Sequence, residues 1–317
     1  MKYFVGAYAT SPSAMGWDAA VESEYYNQLK GYSNIKGLEH PFVGKLHGED
    51  DEWFLQNISS DWEFVFTCVP GTMAAIGKNP NFGIASDDQA GREEALAFMA
   101  KARDAIAKLN AHCGKQVVTA IEIQTAPNRS VAHSSAESLK ASLTTMLGWD
   151  WQGARILVEH CDTFLTGQKP AKGFLTLREE LAAINDVNQA LGANVGVVIN
   201  WGRSVIETRS TRGALDHIEQ AKAAGLLAGL MFSGVSDQDT EYGAWQDTHM
   251  PAAKAANGTI GAVGSLMTEA EMHACMRAAG DVPVLGIKLG ARPKDAPLED
   301  RLGYIRDALA IMDACNS

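Results

Sequence analysis

Four apolar stretches of this chain end on acidic or amide side chains, and these side chains are the first candidates for chemistry. They are Glu39, Glu122 with Gln124, Glu159 and Asn200. A strand that is buried on both faces is apolar along its length, so a carboxylate at its last position is out of place in a core. The same position is where a closed barrel of parallel strands builds its active site. The pattern therefore predicts a barrel enzyme with an acidic pocket.

Glu159 ends the apolar run at residues 156–158, and a carboxylate there can bind a metal ion, act as a general base or bind a hydroxyl group. Glu122 and Gln124 lie two residues apart, so a strand turns both side chains to the same face. Together they would form a polar clamp suited to sugar hydroxyls. The alternatives are a salt-bridged barrel carboxylate at Glu159 and a hydrogen-bonded layer at Gln124, neither with a chemical role.

Two further strand ends add candidate binding groups. Glu39 and His40 are consecutive, so one side chain faces the barrel interior and the other faces the helices. We expect Glu39 to contact the substrate and His40 to be structural. Asn200 offers a donor and an acceptor, Trp201 could stack on a sugar face, and Arg203 could hold a carboxylate or phosphate in bidentate fashion.

Lys288 lies within the apolar run at residues 285–289, where a lysine either pairs with a carboxylate or has a lowered pKa. It could serve as a Schiff-base nucleophile or as a fixed positive charge, and we favour a fixed charge paired with Glu159 or Glu122. The basic residues expected near the same mouth are Arg129, Arg203, Lys288 and Arg292. An acidic protein that gathers cations at one site favours a small anionic substrate.

These side chains require a scaffold, and strand-like and helix-like stretches alternate along the whole chain. The predicted strands are residues 3–9, 35–39, 63–69, 117–124, 155–160, 195–200, 226–232 and 284–289. The predicted helices are residues 18–31, 51–57, 88–109, 135–147, 177–191, 215–224, 268–279 and 298–315. Capping-box patterns begin two of them, at Thr176 and at Thr268. Eight alternating units predict an α/β fold with one domain over residues 1–317, a single (β/α)8 TIM barrel.

The long segments after the third and seventh strands, residues 70–87 and 233–250, are expected to be loops that shape the pocket.

Composition excludes several classes of protein. The 317 residues carry 27 basic and 38 acidic side chains, a net charge of −11, which disfavours binding to nucleic acid or to an anionic membrane. No apolar run reaches the roughly 20 residues of a membrane helix, and the N-terminus resembles a first strand rather than a signal peptide. Five scattered cysteines without a CxxC motif predict no disulfide framework and a cytoplasmic location.

With these strands in place, the chain resembles the xylose isomerase-like barrels, a superfamily of sugar-phosphate isomerases, keto-sugar 3-epimerases and endonuclease IV. The motifs that carry the likeness are Gly-Leu-Glu at residues 37–39, Leu-Val-Glu at residues 157–159, and the region from Phe-Ser at residues 232–233 to Asp-Thr-His at residues 247–249. They point to an uncharacterised bacterial family within that superfamily. A DNA-repair role, as in the endonuclease relatives, is disfavoured by the acidic charge.

The resemblance also implies a ligand set for a divalent metal, because active members hold one with Glu, Asp, His and Glu on strands 5 to 8. Glu159 matches the first ligand. The residues at the other three places are Asn200, Phe232 or Ser233, and Lys288. An ammonium group in place of a carboxylate repels a divalent ion, so we expect no metal and no other cofactor, with Lys288 supplying part of the missing charge. If an ion were bound, Glu159 and His249 would hold it.

These observations together predict a carbohydrate isomerase or epimerase that transfers a proton next to a carbonyl of a sugar or an anionic sugar derivative. The predicted catalytic residues are Glu159 and Glu122 as the acid–base pair and Lys288 as the group that polarises the carbonyl. The predicted substrate-binding residues are Glu39, Gln124, Asn200, Trp201, Arg203, His249 and Arg292. The alternatives are a glycoside-cleaving enzyme, which also uses two carboxylates, and a sugar-binding barrel without catalysis. The expected partner is a small-molecule sugar, and the expected assembly is a homodimer.

Overall fold

Eight parallel strands close into a barrel in the order of the sequence, in a computed structural model that describes residues 1–315. The strands are β1 (Tyr3–Val5), β2 (Ile35–Pro41), β3 (Glu63–Thr67), β4 (Val118–Ile123), β5 (Arg155–His160), β6 (Gly196–Asn200), β7 (Leu227–Phe232) and β8 (Val284–Ile287). Each strand pairs in parallel with the next, and β8 closes the circle by pairing with β1. The predicted (β/α)8 TIM barrel is therefore confirmed.

Helices fill the connections and surround the barrel. They are α1 (Ala7–Thr10), α2 (Ala19–Lys30), α3 (Asp51–Asn57), α4 (Val69–Ile76), α5 (Gln89–Cys113), α6 (Ala136–Leu147), α7 (Leu177–Leu191), α8 (Trp201–Thr208), α9 (Thr211–Ala223), α10 (Glu269–Ala279) and α11 (Leu298–Cys315). The eight predicted helices are all present. Within residues 1–315, no helix is both long enough and apolar enough to cross a membrane.

Capping side chains set several of these helix boundaries where the sequence predicts them. Thr176 and Glu179 form a reciprocal capping box at the start of α7. The Thr268 hydroxyl accepts a hydrogen bond from the backbone N–H of Glu271 at the start of α10. At the other end of α7, Gly192 adopts a left-handed conformation with φ of +62°, which ends the helix without a steric penalty.

Three short helices lie where the sequence predicts strand or loop. The first strand ends at Val5 rather than at residue 9, and the chain turns at Gly6 into α1. The predicted loop after β3 contains α4, which has no capping side chain, so that Pro70 in its first turn is its main start signal. At the end of β6, the Asn200 side chain caps α8 by accepting from the backbone N–H of Arg203 at 3.3 Å.

Side-chain alternation along the strands divides the barrel interior into an apolar layer and a polar layer. The apolar layer consists of Phe4, Val65, Ala120, Leu157, Val198, Ala228, Met231 and Val284. Two residues further along β4, β5 and β6, the same face carries Glu122, Glu159 and Asn200. Because side chains two residues apart on a strand share a face, these polar groups converge above the apolar layer at the C-terminal mouth.

The outer faces of the strands pack against the helices in a continuous apolar layer. His40 belongs to this layer, and its ring stacks on Phe54 with a centroid distance of 4.3 Å. Its Nε2 lies 2.5 Å from the carbonyl oxygen of Leu46, and burial lowers the pKa of His40 to about 4. His40 is therefore a neutral structural residue, and its neighbour Glu39 is the one that faces the interior.

Candidate active site at the barrel mouth

Glu159 is the central anion of the polar layer and is completely buried. Four donors surround its carboxylate. They are Arg203 Nη1 at 2.7 Å, Gln124 Nε2 at 2.9 Å, Asn200 Nδ2 at 3.1 Å and Lys288 Nζ at 3.3 Å. Burial by itself raises the pKa of Glu159, but the positive charges of Arg203 and Lys288 outweigh it and hold the pKa far below its usual value. Glu159 is therefore a permanent anion that organises its neighbours.

Lys288 is a buried cation held between two carboxylates. Its Nζ lies 2.5 Å from Oε1 of Glu39 and 3.3 Å from Oε1 of Glu159. Burial lowers the pKa of a lysine, but the charges of Glu159 and Glu39 raise that of Lys288 well above its usual value. The geometry agrees with the predicted fixed charge and with its pairing to Glu159. Its second partner is Glu39 rather than Glu122.

Glu122 is the unusual carboxyl group of the site. It is buried, and in the part of the chain that the structure describes no N–H or hydroxyl group donates to either of its oxygens. Burial, followed by the charges of Glu159 and Glu39, raises its pKa well above the usual value. A carboxyl oxygen of Glu39 lies within 4.8 Å of one of Glu122, and the pKa of Glu39 is also raised, by burial against the lowering effect of Lys288. Glu122, which lacks a cation in contact, therefore holds a proton more readily than Glu39, and the neighbouring pair can act as acid and base.

Tyr8 completes this group from α1. Its hydroxyl is buried and has no hydrogen-bond partner among residues 1–315, and Lys288 Nζ lies 6.0 Å from the centre of its ring. Burial raises the pKa of the phenol, so it stays protonated and can donate a hydrogen bond. The sequence did not indicate Tyr8, because residue 8 falls within the stretch predicted as the first strand.

A cavity of about 290 Å³ opens beside this cluster, between the segments that follow β1 and β2. Tyr8 and Glu39 line its floor, and its walls include Trp17, Glu22 and His47. Glu39 is 1% exposed, and Glu159, Glu122 and Lys288, which are not among the lining residues, have no exposed surface. Glu39 is therefore the member of the carboxyl cluster that borders the cavity.

A second layer of charges comes from the loops after β5 and β7. Asp247 accepts from Arg203 Nε at 3.1 Å and from Lys172 Nζ at 2.7 Å, and these cations hold its pKa well below the usual value although burial raises it. His249 Nδ1 lies 2.8 Å from Ser233 Oγ and 3.4 Å from Asp247 Oδ1. Burial lowers the pKa of His249 to about 3, so it is neutral. His249 is linked to Glu159 through Asp247 and Arg203. The sequence did not indicate Lys172, and it indicated Asp247 only as part of the Asp-Thr-His motif.

Three predicted residues lie elsewhere. Trp201 is the first residue of α8, and its fully buried indole belongs to the apolar layer outside the strands, near Cys275. It is not in position to stack on a ligand in the mouth. Arg129 pairs with Glu179 at 2.7 Å, at the start of α7. Arg292 lies beside Tyr242 and donates to the carbonyl of Ala291, away from the carboxylate cluster.

These positions change the electrostatic argument for an anionic substrate. The sequence predicts that several cations gather at the mouth and favour an anionic substrate, but Arg203 and Lys288 are neutralised by Glu159, Asp247 and Glu39. Arg129 is neutralised by Glu179 in the same way. Negative charge on the substrate is therefore not required to balance the site.

The residues at the mouth do not suit the divalent ion that the resemblance implies. Carboxyl oxygens of Glu39, Glu122 and Glu159 lie within 4.8 Å of one another, which by itself is a spacing that could hold a metal. Lys288, however, contacts two of the three and stands at the place of the fourth expected ligand. An ion there would have to displace a buried ammonium group from both of its partners.

The closed barrel is similar in fold to solved structures of xylose isomerase-like TIM barrels. A structure titled D-tagatose 3-epimerase-like protein superposes with a TM-score of 0.61 at 13% identity, over 100% of this chain and 98% of the other. A xylose isomerase domain containing protein from Salmonella typhimurium gives a TM-score of 0.57 at 10% identity, over 99% and 96%. D-allulose 3-epimerase from Methylomonas sp. gives 0.56 at 13% identity, over 99% and 98%.

By its sequence, the chain belongs to the family described as domain of unknown function DUF4862, whose profile matches residues 4–304. A relative in Salmonella typhimurium strain LT2, uncharacterized protein STM3670, is 36% identical over 315 residues. That alignment covers 98% of this chain and 96% of the relative.

Proposed function

We propose that this protein is a carbohydrate isomerase or epimerase that transfers a proton at the carbon next to a sugar carbonyl. The observation that carries the proposal is the Glu39–Glu122 pair, two buried carboxyl groups with oxygens within 4.8 Å of each other, beside the fixed cation Lys288, which lies 2.5 Å from Glu39. Structures titled as 3-epimerases of tagatose and allulose share the fold, which supports the choice of substrate class.

Proton abstraction requires a base at the cavity and positive charge where the carbonyl oxygen becomes negative. Glu39 lines the cavity and is the base in our proposal. It takes the proton from the carbon next to the carbonyl, and the electron pair moves into the carbonyl to form an enediolate. Lys288 and the neutral hydroxyl of Tyr8 stabilise the new negative charge on oxygen. Glu122 exchanges its proton with Glu39, so the pair can return a proton to either carbon of the enediolate.

This assignment revises the role predicted for Glu159. Four donors saturate its carboxylate, and it has no exposed surface, so it is a poor base. Its role in the proposal is to hold Lys288 and Arg203 in place. The role of base is assigned to Glu39 instead of Glu159, although the sequence predicts Glu39 only as a binding residue.

The proposed reaction needs no metal or cofactor, because the ammonium group of Lys288 supplies the stabilising charge. The burial of the carboxyl groups argues against glycoside cleavage. A glycosidase needs two carboxyl groups that both reach the glycosidic bond, whereas Glu122 and Glu159 have no exposed surface here.

The direct test is solvent deuterium exchange. Chelator-treated protein would be incubated in D2O with a panel of aldoses, ketoses and their acid and phosphate derivatives, and NMR would follow deuterium uptake next to the carbonyl. We expect uptake together with formation of an isomer, without dependence on added manganese, cobalt, magnesium or zinc. Sugar binding without exchange would instead support a non-catalytic barrel, and a strict metal requirement would refute the role of Lys288.

Two variants assign the base. Glu39→Gln and Glu122→Gln should each lower the exchange rate by about 10²- to 10⁴-fold, the range typical of general acid–base catalysis. The matched control is Glu24→Gln, the same substitution on the exposed surface of α2, which should keep the wild-type rate. Full activity in Glu39→Gln would show that the base is elsewhere.

A further inference from the structure

A second cluster of chemically capable side chains lies outside the barrel wall. His160 follows Glu159 at the end of β5, so its side chain points away from the mouth and toward the helices. There it meets Glu207 of α8 and His217 of α9. One ligand atom from each of these three residues lies within 4.8 Å of the others. The exposed fraction is 0% for His160, 9% for Glu207 and 6% for His217.

The hydrogen bonds around this cluster leave one nitrogen of each histidine facing the same carboxylate. Nδ1 of His160 lies 2.7 Å from Oε2 of Glu180, and Oε1 of Glu180 accepts from Thr125 Oγ1 at 2.6 Å. Nδ1 of His217 lies 3.0 Å from Ser204 Oγ. A metal-bound histidine almost always has its second ring nitrogen held in this way, by a carboxylate or another acceptor.

The remaining nitrogens converge on Glu207. Nε2 of His160 lies 3.2 Å from its Oε2, and Nε2 of His217 lies 3.7 Å from its Oε1. Ligands about 2.0–2.2 Å from a tetrahedral zinc ion are about 3.4 Å apart, which falls between these two distances. The two nitrogens face different oxygens of the one carboxylate, and Oε2 also accepts from the backbone N–H of Thr163 at 2.9 Å. Binding of one ion would therefore draw these side chains together while the backbone stays in place.

We propose that His160, Glu207 and His217 form a binding site for zinc or a similar divalent transition metal, distinct from the barrel mouth. Two imidazoles and a carboxylate suit this class of ion better than magnesium or calcium, which prefer oxygen ligands. The fourth position is open to water. The ion would join β5 to α8 and α9, directly behind the strand end that carries Glu159.

Charge balance favours a bound divalent ion over a protonated His160 in this cluster. A protonated His160 between Glu180 and Glu207 leaves this buried cluster with a net charge of −1. Two neutral imidazoles, two carboxylates and a divalent ion sum to zero, which is the cheaper arrangement away from water. The rival arrangement is nevertheless specific, since Glu180 and Glu207 raise the pKa of His160 to about 10 against the effect of burial. The experiment must therefore distinguish an ion from a proton.

The test uses the full chain, stripped with a chelator and titrated with Zn²⁺ or Co²⁺ by calorimetry, with the visible spectrum of the Co²⁺ form as a second readout. We expect one equivalent bound per chain, a spectrum typical of nitrogen ligands in low coordination, and a rise in Tm with Zn²⁺. His217→Gln and Glu207→Gln should each weaken binding by at least about 10-fold and remove the spectrum. The matched control is His112→Gln on the exposed surface of α5, which should change nothing.

The barrel mouth is tested separately with Glu122→Gln, which should keep the full equivalent of metal. Loss of binding in that variant, but not in His217→Gln, would place the ion among the mouth carboxylates and overturn the proposal. Absence of stoichiometric binding by the wild-type chain would also overturn it, in favour of a protonated His160. None of these outcomes depends on the activity of the enzyme, so the result is independent of the proposed function.

Discussion

Lys288→Met should strongly destabilise the protein, because among residues 1–315 Lys288 is the one cation that contacts Glu39. The variant keeps the length of the side chain and removes its charge. Glu159 retains Arg203, Gln124 and Asn200 as donors, so most of the cost falls on Glu39. Breaking a buried ion pair by removing one partner costs about 3–5 kcal/mol. With about 2–4 °C per kcal/mol for a large domain, Tm should fall by roughly 6–20 °C.

The pH dependence of this loss has a definite sign. Without Lys288, burial and Glu159 raise the folded-state pKa of Glu39 further above its unfolded value of about 4.3. A carboxyl group whose pKa is higher in the folded state loses stability as pH rises from the unfolded to the folded pKa. The deficit of the variant should therefore be smallest near about pH 4 and grow toward pH 7. Urea denaturation across this range measures it.

Two controls decide whether the reasoning is right. Lys36→Met removes a half-exposed lysine that pairs with Glu63 at 3.1 Å, and it should cost no more than about 1 kcal/mol. The double variant Lys288→Met with Glu39→Gln removes both charges and should recover part of the lost stability. A Lys288→Met protein as stable as wild type at pH 7, or a double variant less stable than Lys288→Met, would refute the description of this pair.

Three further predictions concern the same cluster. Gly6→Ala should lower turnover by about 10-fold or more while far-UV circular dichroism stays unchanged, because the new Cβ would lie 2.8 Å from Glu39 Oε2 and 3.0 Å from Lys288 Cγ. Glu159→Gln should lower kcat by about 10²- to 10³-fold while the fold is retained, because it releases Lys288, which stabilises the enediolate. A kcat equal to that of the wild type would refute the positioning role of Glu159. In the pH profile, kcat should fall on the acidic side at a pH above about 4.5, because burial raises the pKa of Glu39. The base is lost once both Glu39 and Glu122 are protonated. A kcat that stays constant down to pH 4 would contradict the proposed role of this pair.

Local signals in the sequence were sufficient for the scaffold. Apolar runs predict all eight strands, and capping residues such as Thr176 predict where helices begin. These signals work because hydrophobic period and helix capping depend on residues only a few positions apart. They fail for α4, which has no capping side chain, and for Tyr8, where a strand pattern continues past the turn at Gly6.

Trp201 shows the limit of a strand-end argument. The sequence places it next to Asn200 at the end of β6, where polar and aromatic residues are candidates for binding. Asn200, however, both ends the strand and caps α8, so the chain changes direction and turns the indole into the apolar layer behind the barrel. Only the tertiary structure shows this turn, because the Asn-Trp sequence is compatible with a continuing strand.

The sequence by itself determined the barrel, the inward face of each strand and the glutamates at the mouth, since alternation along a strand decides which face a side chain occupies. Closure of the barrel decided which charged side chains pair with one another. It brings Lys288 of the eighth unit against Glu39 of the second and against Glu159, 129 residues away in the chain. Barrel closure also decided that Glu159 is surrounded by donors and that the pKa of Glu122 is raised. Burial and neighbouring charges set a pKa, and both arise only when strands distant in sequence lie side by side.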